Sequence, residues 1–285
     1  MHLSLLPWVT TGVWPMIALY LPDSSRPRPR TLAEVPGRFV KPPRRRVDDG
    51  MLARMDGATR DAAAALRREI HAPGHGPDRL RLAPTPLVPE VRLHVAEDAI
   101  LWWARMEAAA GHRLPAPYWA SAWAGGQALA RYLLDHPRVA AGRRVLDLAT
   151  GSGLVAIAAA LTGAARVRAS DIDPYAVAAV GFNAHANRVA VDASATDLLD
   201  TDGGDVDLLL AGDVFYDRPM TDRVLPFLER VAARGVDVLV GDPGRGYLPE
   251  ERLEALAVYR VPSTEVAVEA PVRRVRIMRP RRRPG

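Results

Sequence analysis

The distribution of apolar positions changes along the chain, and it is most regular in the middle. Between residues 144 and 241, short continuous apolar runs alternate with longer segments whose apolar positions recur at helical spacing. This alternation is typical of a parallel sheet covered by helices on both faces. We expect strands near 144–148, 166–170, 190–195, 206–212 and 236–241, and helices near 153–162, 174–186 and 219–234. The pattern therefore predicts an α/β fold.

The segments on either side of this region follow other patterns. On the N-terminal side we expect helices over residues 56–70, 91–110 and 126–135, with a Pro-rich connector at 73–89. On the C-terminal side, residues 257–261 and 272–278 form two apolar runs without a full helix between them, so one of these strands should run antiparallel. We therefore expect a helix and connector over 51–88, one main domain over 89–278 and a basic tail over 279–285.

Residues 1–50 do not follow the pattern of a folded domain. Residues 1–22 contain no charged side chain, but Pro7 and Pro15 interrupt the apolar run and no basic segment precedes it, unlike a signal peptide. Residues 23–47 are rich in proline and arginine without periodicity, which is typical of disorder. We expect a disordered or wrongly assigned extension, with the biological start at Met51 or Met55.

Composition and charge exclude several classes of function. The chain has 285 residues, 48% of them hydrophobic, and no cysteine, which excludes disulfides, thiolate zinc sites and cysteine nucleophiles and fits a cytoplasmic protein. The histidines show no metal-ligand spacing, so we expect no metal. The net charge of +5 is concentrated at the two ends, and the remaining body is acidic. We therefore expect no nucleic-acid or membrane partner, and a monomer.

The segment 143–159 carries the strongest chemical signal. An apolar strand ends near Asp147, passes through a turn containing Gly151 and Gly153, and opens an Ala-rich helix. Such a turn brings the backbone close to a nucleotide-like ligand. The spacing of Gly151, Gly153 and Ala156 satisfies the dinucleotide pattern, and Asp171 lies where a ribose-binding acid is expected. A dinucleotide and S-adenosylmethionine are both compatible with these features.

The charge of Asp147 favours S-adenosylmethionine. A pyrophosphate would be repelled by a carboxylate just before the turn, whereas a cationic α-amino group would be attracted. Asp171 would accept hydrogen bonds from the ribose hydroxyls with either ligand. Asp197, after the third strand, is a candidate acceptor for the adenine amino group, with Leu198 packed on the ring. Acids after three successive parallel strands lie along one edge of the sheet, where open α/β folds bind ligands.

Five segments together resemble one family of seven-β-strand S-adenosylmethionine-dependent methyltransferases. They are Trp119-Ala-Ser-Ala-Trp123-Ala-Gly125, Val145-Leu-Asp-Leu-Ala-Thr-Gly-Ser-Gly153, Asp171-Ile-Asp-Pro174, Ala211-Gly-Asp-Val-Phe-Tyr-Asp217 and Gly241-Asp-Pro-Gly-Arg245. They resemble the electron transfer flavoprotein β-subunit lysine methyltransferase family, whose bacterial relatives are also called nicotinamide N-methyltransferase-like. The resemblance covers residues 89–278. Ala149 departs from the wider class, which often has glycine there, and we expect the turn to survive.

The resemblance implies a fold and a set of roles. It implies a Rossmann-like sheet of order 3-2-1-4-5-7-6 with an antiparallel seventh strand, preceded by a helical segment. It implies that Trp119, Trp123 and Gly125 help to form the cofactor pocket, and that Asp213 and Tyr216 face the acceptor. The implied reaction is methyl transfer from S-adenosylmethionine to a lysine of the electron transfer flavoprotein β subunit.

Three other functions remain open at this point. A methyltransferase acting on a small heteroaromatic amine would share the cofactor site, and a pocket closed by residues 89–120 would favour it over a protein acceptor. An NAD-dependent oxidoreductase would need a further catalytic set such as Ser-Tyr-Lys, and Lys41 is the only lysine. A non-catalytic S-adenosylmethionine-binding protein is disfavoured by the intact segment Asp213-Val-Phe-Tyr216. Methyl transfer mainly requires alignment, so Asp213 is expected to orient the amine and Tyr216 to hold it or contact the sulfonium.

Overall fold

A computed structural model describes residues 55–74, 76–262 and 272–281 of the chain. The predictions for residues 1–50 and for residues 282–285 of the tail lie outside these ranges. The described part contains six α-helices: α1 Gly57–His71, α2 Ala99–Ala110, α3 Ala124–Asp135, α4 Leu154–Leu161, α5 Pro174–Ala186 and α6 Arg218–Ala233. It contains nine strands: β1 Leu80–Pro84, β2 Arg92–Ala96, β3 Arg144–Leu148, β4 Arg166–Asp171, β5 Asp192–Ala195, β6 Leu208–Gly212, β7 Asp237–Asp242, β8 Leu253–Pro262 and β9 Val272–Pro280.

Seven of the strands form one sheet, in the order β5-β4-β3-β6-β7-β9-β8. The five strands from β5 to β7 are parallel, whereas β9 pairs antiparallel with both β7 and β8. With β3 counted as the first strand, this is the order 3-2-1-4-5-7-6 that the resemblance implied. The expected antiparallel closing strand is also confirmed. The last strand, β9, continues two residues beyond the predicted domain end at residue 278.

Side chains that alternate along the central strands build a core on both faces of the sheet. Leu208 and Leu210 pack with α3, α4 and α5 on one face, and Leu209 and Ala211 pack with α6 on the other. Both faces are buried because a parallel sheet is covered by its own crossover helices. Side-chain caps begin α2, α5 and α6, where Asp98, Asp173 and Asp217 accept from backbone N–H groups. Asp173, directly before Pro174, is thus a helix-cap residue.

The N-terminal segment differs from the prediction. The expected helix over 91–110 begins only at Ala99, and the expected connector at 73–89 contains strand β1, which pairs antiparallel with β2. Side chains at and just after the C-terminal end of helix α5 hydrogen-bond to the backbone of this hairpin. The Asn187 amide accepts from the Arg92 N–H and donates to the Arg92 carbonyl, and Asn183 Oδ1 accepts from the His94 N–H at 2.8 Å. These contacts are remote in sequence, and for that reason local periodicity did not indicate them.

Helices α1 and α2 extend the molecule beyond the main sheet. Leu66 and Trp102 lie in a separate buried cluster that packs on Ala176 and Ala179 of α5. Trp102 and Trp119 contact each other edge to face, with their ring centroids 5.2 Å apart. Within the described ranges, no helix is both long and apolar enough to cross a membrane.

Candidate active site

Four carboxylates lie where parallel strands of the sheet end. Asp147 lies near the end of β3, Asp171 ends β4, Asp213 directly follows β6, and Asp242 ends β7. The carboxyl ends of parallel strands meet at one edge of a sheet, which is where open α/β folds bind ligands. The sequence reasoning named the first three of these residues but missed Asp242.

The turn after β3 depends on left-handed backbone positions. Gly151 and Gly153 have φ of 52° and 79°. A Cβ on Gly153 would lie 3.1 Å from Val180 Cγ2, so glycine also allows α4 and α5 to pack closely. Ala149 has a φ of 50° as well. The turn therefore survives the replacement of glycine at residue 149, as expected, with a non-glycine residue in a strained conformation.

Asp147 lies behind this turn, with 1% of its surface exposed. Its Oδ2 accepts from the Thr150 hydroxyl and, at 3.1 Å, from the Ala156 N–H in the first turn of α4. Burial raises the pKa of Asp147 to about 7, and the two hydrogen bonds oppose this rise. Asp147 therefore stabilises the turn from inside. Its contact with a ligand amino group stays a prediction.

Asp171 joins the turn to the end of β4. One carboxylate oxygen accepts from the Gly151 N–H at 2.9 Å, and the other accepts from the Asp173 N–H at 3.0 Å. Burial raises the pKa of this carboxyl group. The neighbouring Ile172 is 75% exposed. An exposed apolar side chain beside a hydrogen-bonding carboxylate provides a surface for a planar base, and the sequence reasoning did not single it out.

Asp197 is engaged differently from the role expected for it. Its carboxylate accepts from the Leu199 N–H at 3.0 Å and from Arg223 Nη2 at 2.9 Å. The bond from Leu199, followed by the interaction with Arg223, lowers the pKa of Asp197. Leu198, expected to pack on an adenine ring, is only 8% exposed. The structure thus makes Asp197 a turn and ion-pair residue, and its contact with adenine stays a prediction.

The two tryptophans implied to form the pocket lie in different environments. The Trp119 side chain is 1% exposed and belongs to the core, so the structure does not place it on a pocket wall. Its backbone borders the glycine turn, since its Cα is 3.9 Å from a Cβ placed on Gly151. Trp123 lies at the start of α3, and its Nε1 donates to the Tyr118 carbonyl at 2.7 Å. Of the two, Trp123 therefore lies nearer the surface of the site.

Gly125 is required by close approach rather than by its backbone angles. A Cβ at this position would lie 2.2 Å from the Gly241 carbonyl oxygen and 2.6 Å from Asp213 Oδ2. Both distances are far shorter than van der Waals contact. Glycine at this position therefore allows α3 to lie against the ends of β6 and β7, beside the candidate acceptor residues.

Asp213 is fixed by two donors. Its Oδ1 accepts from Arg245 Nη2 at 2.7 Å, and its Oδ2 accepts from the Gly126 N–H at 2.9 Å. The residue is 9% exposed and has a φ of 57°, a strained conformation of the kind that occurs at functional sites. Burial raises its pKa, and the Arg245 guanidinium opposes that rise. Asp213 therefore already has a hydrogen-bond or ion-pair partner at each of its two carboxylate oxygens.

Asp242 holds the loop that carries Arg245. Its Oδ1 accepts from the N–H groups of Gly244 and Arg245 at 2.7 and 2.9 Å. Its Oδ2 is buried and has no hydrogen-bond partner among the described residues. Burial raises the pKa of Asp242 to about 6. A partly unsatisfied carboxylate at 0% exposure is costly, which makes Asp242 a candidate functional residue that sequence spacing did not reveal.

Aromatic side chains and a cation complete this end of the site. The ring centroids of Tyr118 and Tyr216 are 6.2 Å apart, and the Arg245 guanidinium lies 5.6 Å from the Trp123 ring. Arg245 has a largely buried side chain, whereas Tyr247, on the same loop, is 47% exposed. Burial raises the pKa of Tyr216 to about 12. Within the described residues, no cluster of three or more potential metal ligands occurs.

The glycine-turn half of the edge fits an adenosyl cofactor. Among the described residues, the Trp119 Cα is the sole atom within 4 Å of a Cβ placed on Gly151, so the space above the turn is open. Asp171 and the exposed Ile172 border it. When bound, S-adenosylmethionine supplies a methyl group on a sulfonium. Asp171 would hold the ribose hydroxyls, and Gly151 and Gly153 allow the close backbone approach that such a ligand needs.

The chain is similar to several known methyltransferases. A family model described as ribosomal protein L11 methyltransferase (PrmA) matches residues 127–212. The chain is 42% identical over 186 residues to the electron transfer flavoprotein β-subunit lysine methyltransferase of Danio rerio, a match that covers 62% of this chain and 70% of that protein. The Rattus norvegicus protein of the same name is 40% identical over 183 residues, covering 62% and 71%. Among solved structures, ribosomal protein L11 methylase from Lactobacillus delbrueckii subsp. bulgaricus is 22% identical with a TM-score of 0.40, covering 55% of this chain and 79% of that one.

Proposed function

The chain belongs to the electron transfer flavoprotein β-subunit lysine methyltransferase family, and from this premise we propose that its acceptor is a lysine of that β subunit. It is an S-adenosylmethionine-dependent protein-lysine methyltransferase. The observation that carries the proposed acceptor is the identity of about 40% with two relatives named for it. The sequence left a dinucleotide and S-adenosylmethionine open as cofactors, and membership of this family selects S-adenosylmethionine.

The main contribution of the protein to this reaction is to align the acceptor nitrogen with the methyl group. The lysine nitrogen forms a bond to the methyl carbon while the carbon–sulfur bond breaks, and the lysine proton is lost to solvent. An oriented reactant avoids much of the entropic cost of a bimolecular step. We propose that Asp213 and Tyr216 hold the acceptor nitrogen. They follow β6, at the centre of the edge that carries Asp171.

The surroundings of Asp213 also favour a neutral amine. A free lysine has a pKa of about 10.4, so it must lose a proton before its lone pair can attack. Partial burial against Tyr118 and Tyr216, together with the nearby Arg245 cation, disfavours an ammonium group. Tyr216 is protonated at neutral pH, since an ordinary tyrosine has a pKa of about 10 and burial raises the pKa of Tyr216 further, to about 12. It therefore acts as a hydrogen-bonding group and not as a base.

The exposure of the rim supports a protein acceptor over a small heteroaromatic amine. Tyr118, within the segment that would have to close a small-molecule pocket, is 40% exposed, and Tyr247 on the loop after β7 is 47% exposed. A lysine side chain on a folded partner needs an open approach of this kind. A small substrate is usually enclosed over most of its surface.

Transfer of label to a defined acceptor tests the proposal. The full chain is incubated with labelled S-adenosylmethionine and purified electron transfer flavoprotein from the same host, and the β subunit is analysed by mass spectrometry. Methylated lysine peptides are expected, and they should be lost with the Asp213→Ala variant. Nicotinamide serves as the competing acceptor. Label in nicotinamide with none in the β subunit would overturn the proposed acceptor.

We further propose that the protein acts in the cytoplasm as a monomer, without nucleic acid. The absence of cysteine and the acidic body of the chain support this. Cell fractionation and light scattering of the purified protein test the two parts. Recovery in a membrane fraction, or a mass of twice the chain, would contradict them.

A further inference from the structure

The hairpin of β8 and β9 extends past the edge that carries the active site. Strand β7 ends at Asp242, whose register partner on β9 is Arg276. Strand β9 begins four residues earlier, at Val272. This part of the hairpin therefore projects beyond the end of β7 by about 13 Å, at the ordinary rise of an extended strand. We call residues 258–262 of β8 and 272–276 of β9 the projecting hairpin.

The inner face of the projecting hairpin is occupied by the protein itself. Val261 and Val275 are buried. The Tyr259 hydroxyl lies 3.0 Å from the Asp135 carboxylate at the end of α3, and its ring contacts Tyr132 edge to face. These contacts fix the hairpin relative to the sheet. The side chains that alternate with them therefore point away from the core.

The outer face combines exposed apolar groups with two cations. Val258 and Val272 are 49% and 43% exposed. Between them lie Arg260 and Arg274, which are exposed and directly opposite each other in the strand register. Like charges placed opposite each other across a strand pair are destabilising. Neither arginine has an ion-pair partner within the described ranges.

Protection of a sheet edge accounts for the presence of the two charges but not for their placement. Charged residues on a strand edge discourage pairing with other chains, and both strands of the projecting hairpin have a free edge, because β9 pairs with β7 only as far as Arg276. Edge protection does not require the two arginines to lie directly opposite each other, an arrangement that costs stability. An anionic partner that binds both arginines would offset this cost.

The projecting hairpin is also connected to the residues around Asp213. A Cβ on Gly244 would lie 3.7 Å from Arg276 Nη2, so the hairpin lies against the loop that carries Arg245. Arg245 in turn pairs with Asp213. A molecule resting on the outer face of the hairpin would therefore lie beside the position proposed for the acceptor nitrogen.

We propose that the outer face of the projecting hairpin docks an acidic surface of the acceptor protein. Arg260 and Arg274 would pair with its carboxylates, and Val258 and Val272 would cover adjacent apolar atoms. This inference rests on the proposed function, because it assumes a folded protein acceptor. Contacts of this kind contribute to acceptor binding and to its encounter rate, and not to the chemical step.

Charge reversal on the hairpin tests the inference. The double variant Arg260→Glu/Arg274→Glu should raise the KM for the intact flavoprotein β subunit by about tenfold or more, with kcat and cofactor Kd within about twofold of wild type. Raising the ionic strength should raise the wild-type KM and have little effect in the variant. A short lysine peptide, which lacks the docking surface, should be methylated equally by both.

The matched control reverses the charge of two exposed arginines at the other end of the strands, where the parallel strands begin. Arg166→Glu/Arg279→Glu makes the same change in net charge at strand positions remote from the projecting hairpin, and each residue there is ion-paired. An unchanged KM is expected for this control. If the reversed charges impair folding, the milder variant Arg260→Gln/Arg274→Gln is used in their place. It should show a smaller increase in KM. Equal KM values for wild type and both hairpin variants would overturn the docking surface alone. Failure of the wild type to methylate the β subunit would instead overturn the proposed acceptor and, with it, this inference.

Discussion

The two halves of the carboxyl edge hold their buried carboxylates in different ways. At the ends of β3 and β4, Asp147 and Asp171 accept only from backbone N–H groups and one threonine hydroxyl. At the ends of β6 and β7, Asp213 is paired with the Arg245 guanidinium, whose loop is held by Asp242. In the first half, uncharged hydrogen-bond donors surround the carboxylates. In the second half, the Arg245 guanidinium compensates the charge of Asp213.

This difference fits the roles proposed for the two halves, cofactor binding for the first and acceptor binding for the second. A cofactor site is used in the same way in every turnover, and backbone donors fixed by a glycine turn provide a rigid cradle. An acceptor site must receive a charged amine and favour its neutral form. A nearby guanidinium lowers the pKa of an amine and can move to release a carboxylate oxygen. The comparison predicts that mutations in the two halves affect different steps.

Removal of Asp213 should have the largest effect. In Asp213→Ala the methyl acceptor would lose its proposed orienting group and Arg245 would lose this ion pair, so we expect kcat to fall by about 10³-fold or more, since charge-orienting groups commonly contribute this much. Cofactor affinity should change little, because Asp213 lies in the other half. Radiometric transfer and calorimetry measure the two quantities. Asp213→Asn retains the shape and separates loss of charge from loss of packing; normal turnover in both variants would remove Asp213 from the mechanism.

The converse effect is expected at Asp171. Replacing it with alanine removes the proposed acceptor for the ribose hydroxyls and frees the Gly151 N–H, so the cofactor Kd should rise by about 10- to 100-fold, the range for hydrogen bonds to a charged group. At saturating cofactor, kcat should stay close to the wild-type value. Calorimetric titration with S-adenosylmethionine gives the affinity. Asp192→Ala, an exposed acid on the neighbouring strand, is the control and should leave Kd unchanged.

Asp147 makes the cofactor half sensitive to pH. Its pKa is raised to about 7 in the folded protein, above the ordinary value of about 3.9 in an unfolded chain. The folded state therefore binds more protons between these values, and this contribution to stability is present below pH 4 and lost as the pH rises to 7. In Asp147→Asn that loss should vanish, so its stability relative to wild type should improve by roughly 3–4 kcal/mol from pH 4 to 8. Denaturant unfolding at several pH values measures this; parallel curves for both proteins would refute it.

Asp242 should affect the acceptor half only. Asp242→Asn retains an oxygen for the Gly244 and Arg245 N–H groups but no longer titrates, and we expect kcat to fall about tenfold through the looser Arg245 loop. In the wild type, protonation of Asp242 below about pH 6 weakens the same contacts, so the rate should fall more steeply there. The variant should lack this extra decrease. A pH–rate profile with an unchanged acid limb, or a changed cofactor Kd, would place Asp242 outside this role.

The sheet could be predicted from sequence because its signals are local. Strand β3 and helix α5 have the predicted bounds, since each is a continuous pattern flanked by turn residues. The β1–β2 hairpin was missed because its support comes from Asn183 and Asn187, remote in sequence. The alternation Val91-Arg-Leu-His-Val95 was the available signal for β2.

The candidate site shows the same division. The acids at strand ends could be read from their spacing, because the topology fixes where strands end. Their partners could not: the Asp213–Arg245 pair joins residues 32 positions apart in sequence. The resemblance implies a pocket role for Trp119, whose side chain packs on Trp102 in the core, and its contact with the cofactor stays a prediction. Burial of a single aromatic residue depends on the whole packing arrangement and cannot be read from its neighbours in sequence.

The smallest predicted effect concerns Ala149, where the turn of the cofactor half departs from the usual glycine. A left-handed alanine costs about 1–2 kcal/mol in the folded state, and glycine would lose about 0.4–1 kcal/mol through the greater entropy of the unfolded chain. Ala149→Gly should therefore stabilise the protein by about 0.5 kcal/mol, measurable by denaturant unfolding. Ala72→Gly is the matched control, since Ala72 is equally half-buried but has a φ of −67°, and it should destabilise. Equal effects at both positions would show that the φ of 50° at Ala149 stores no strain.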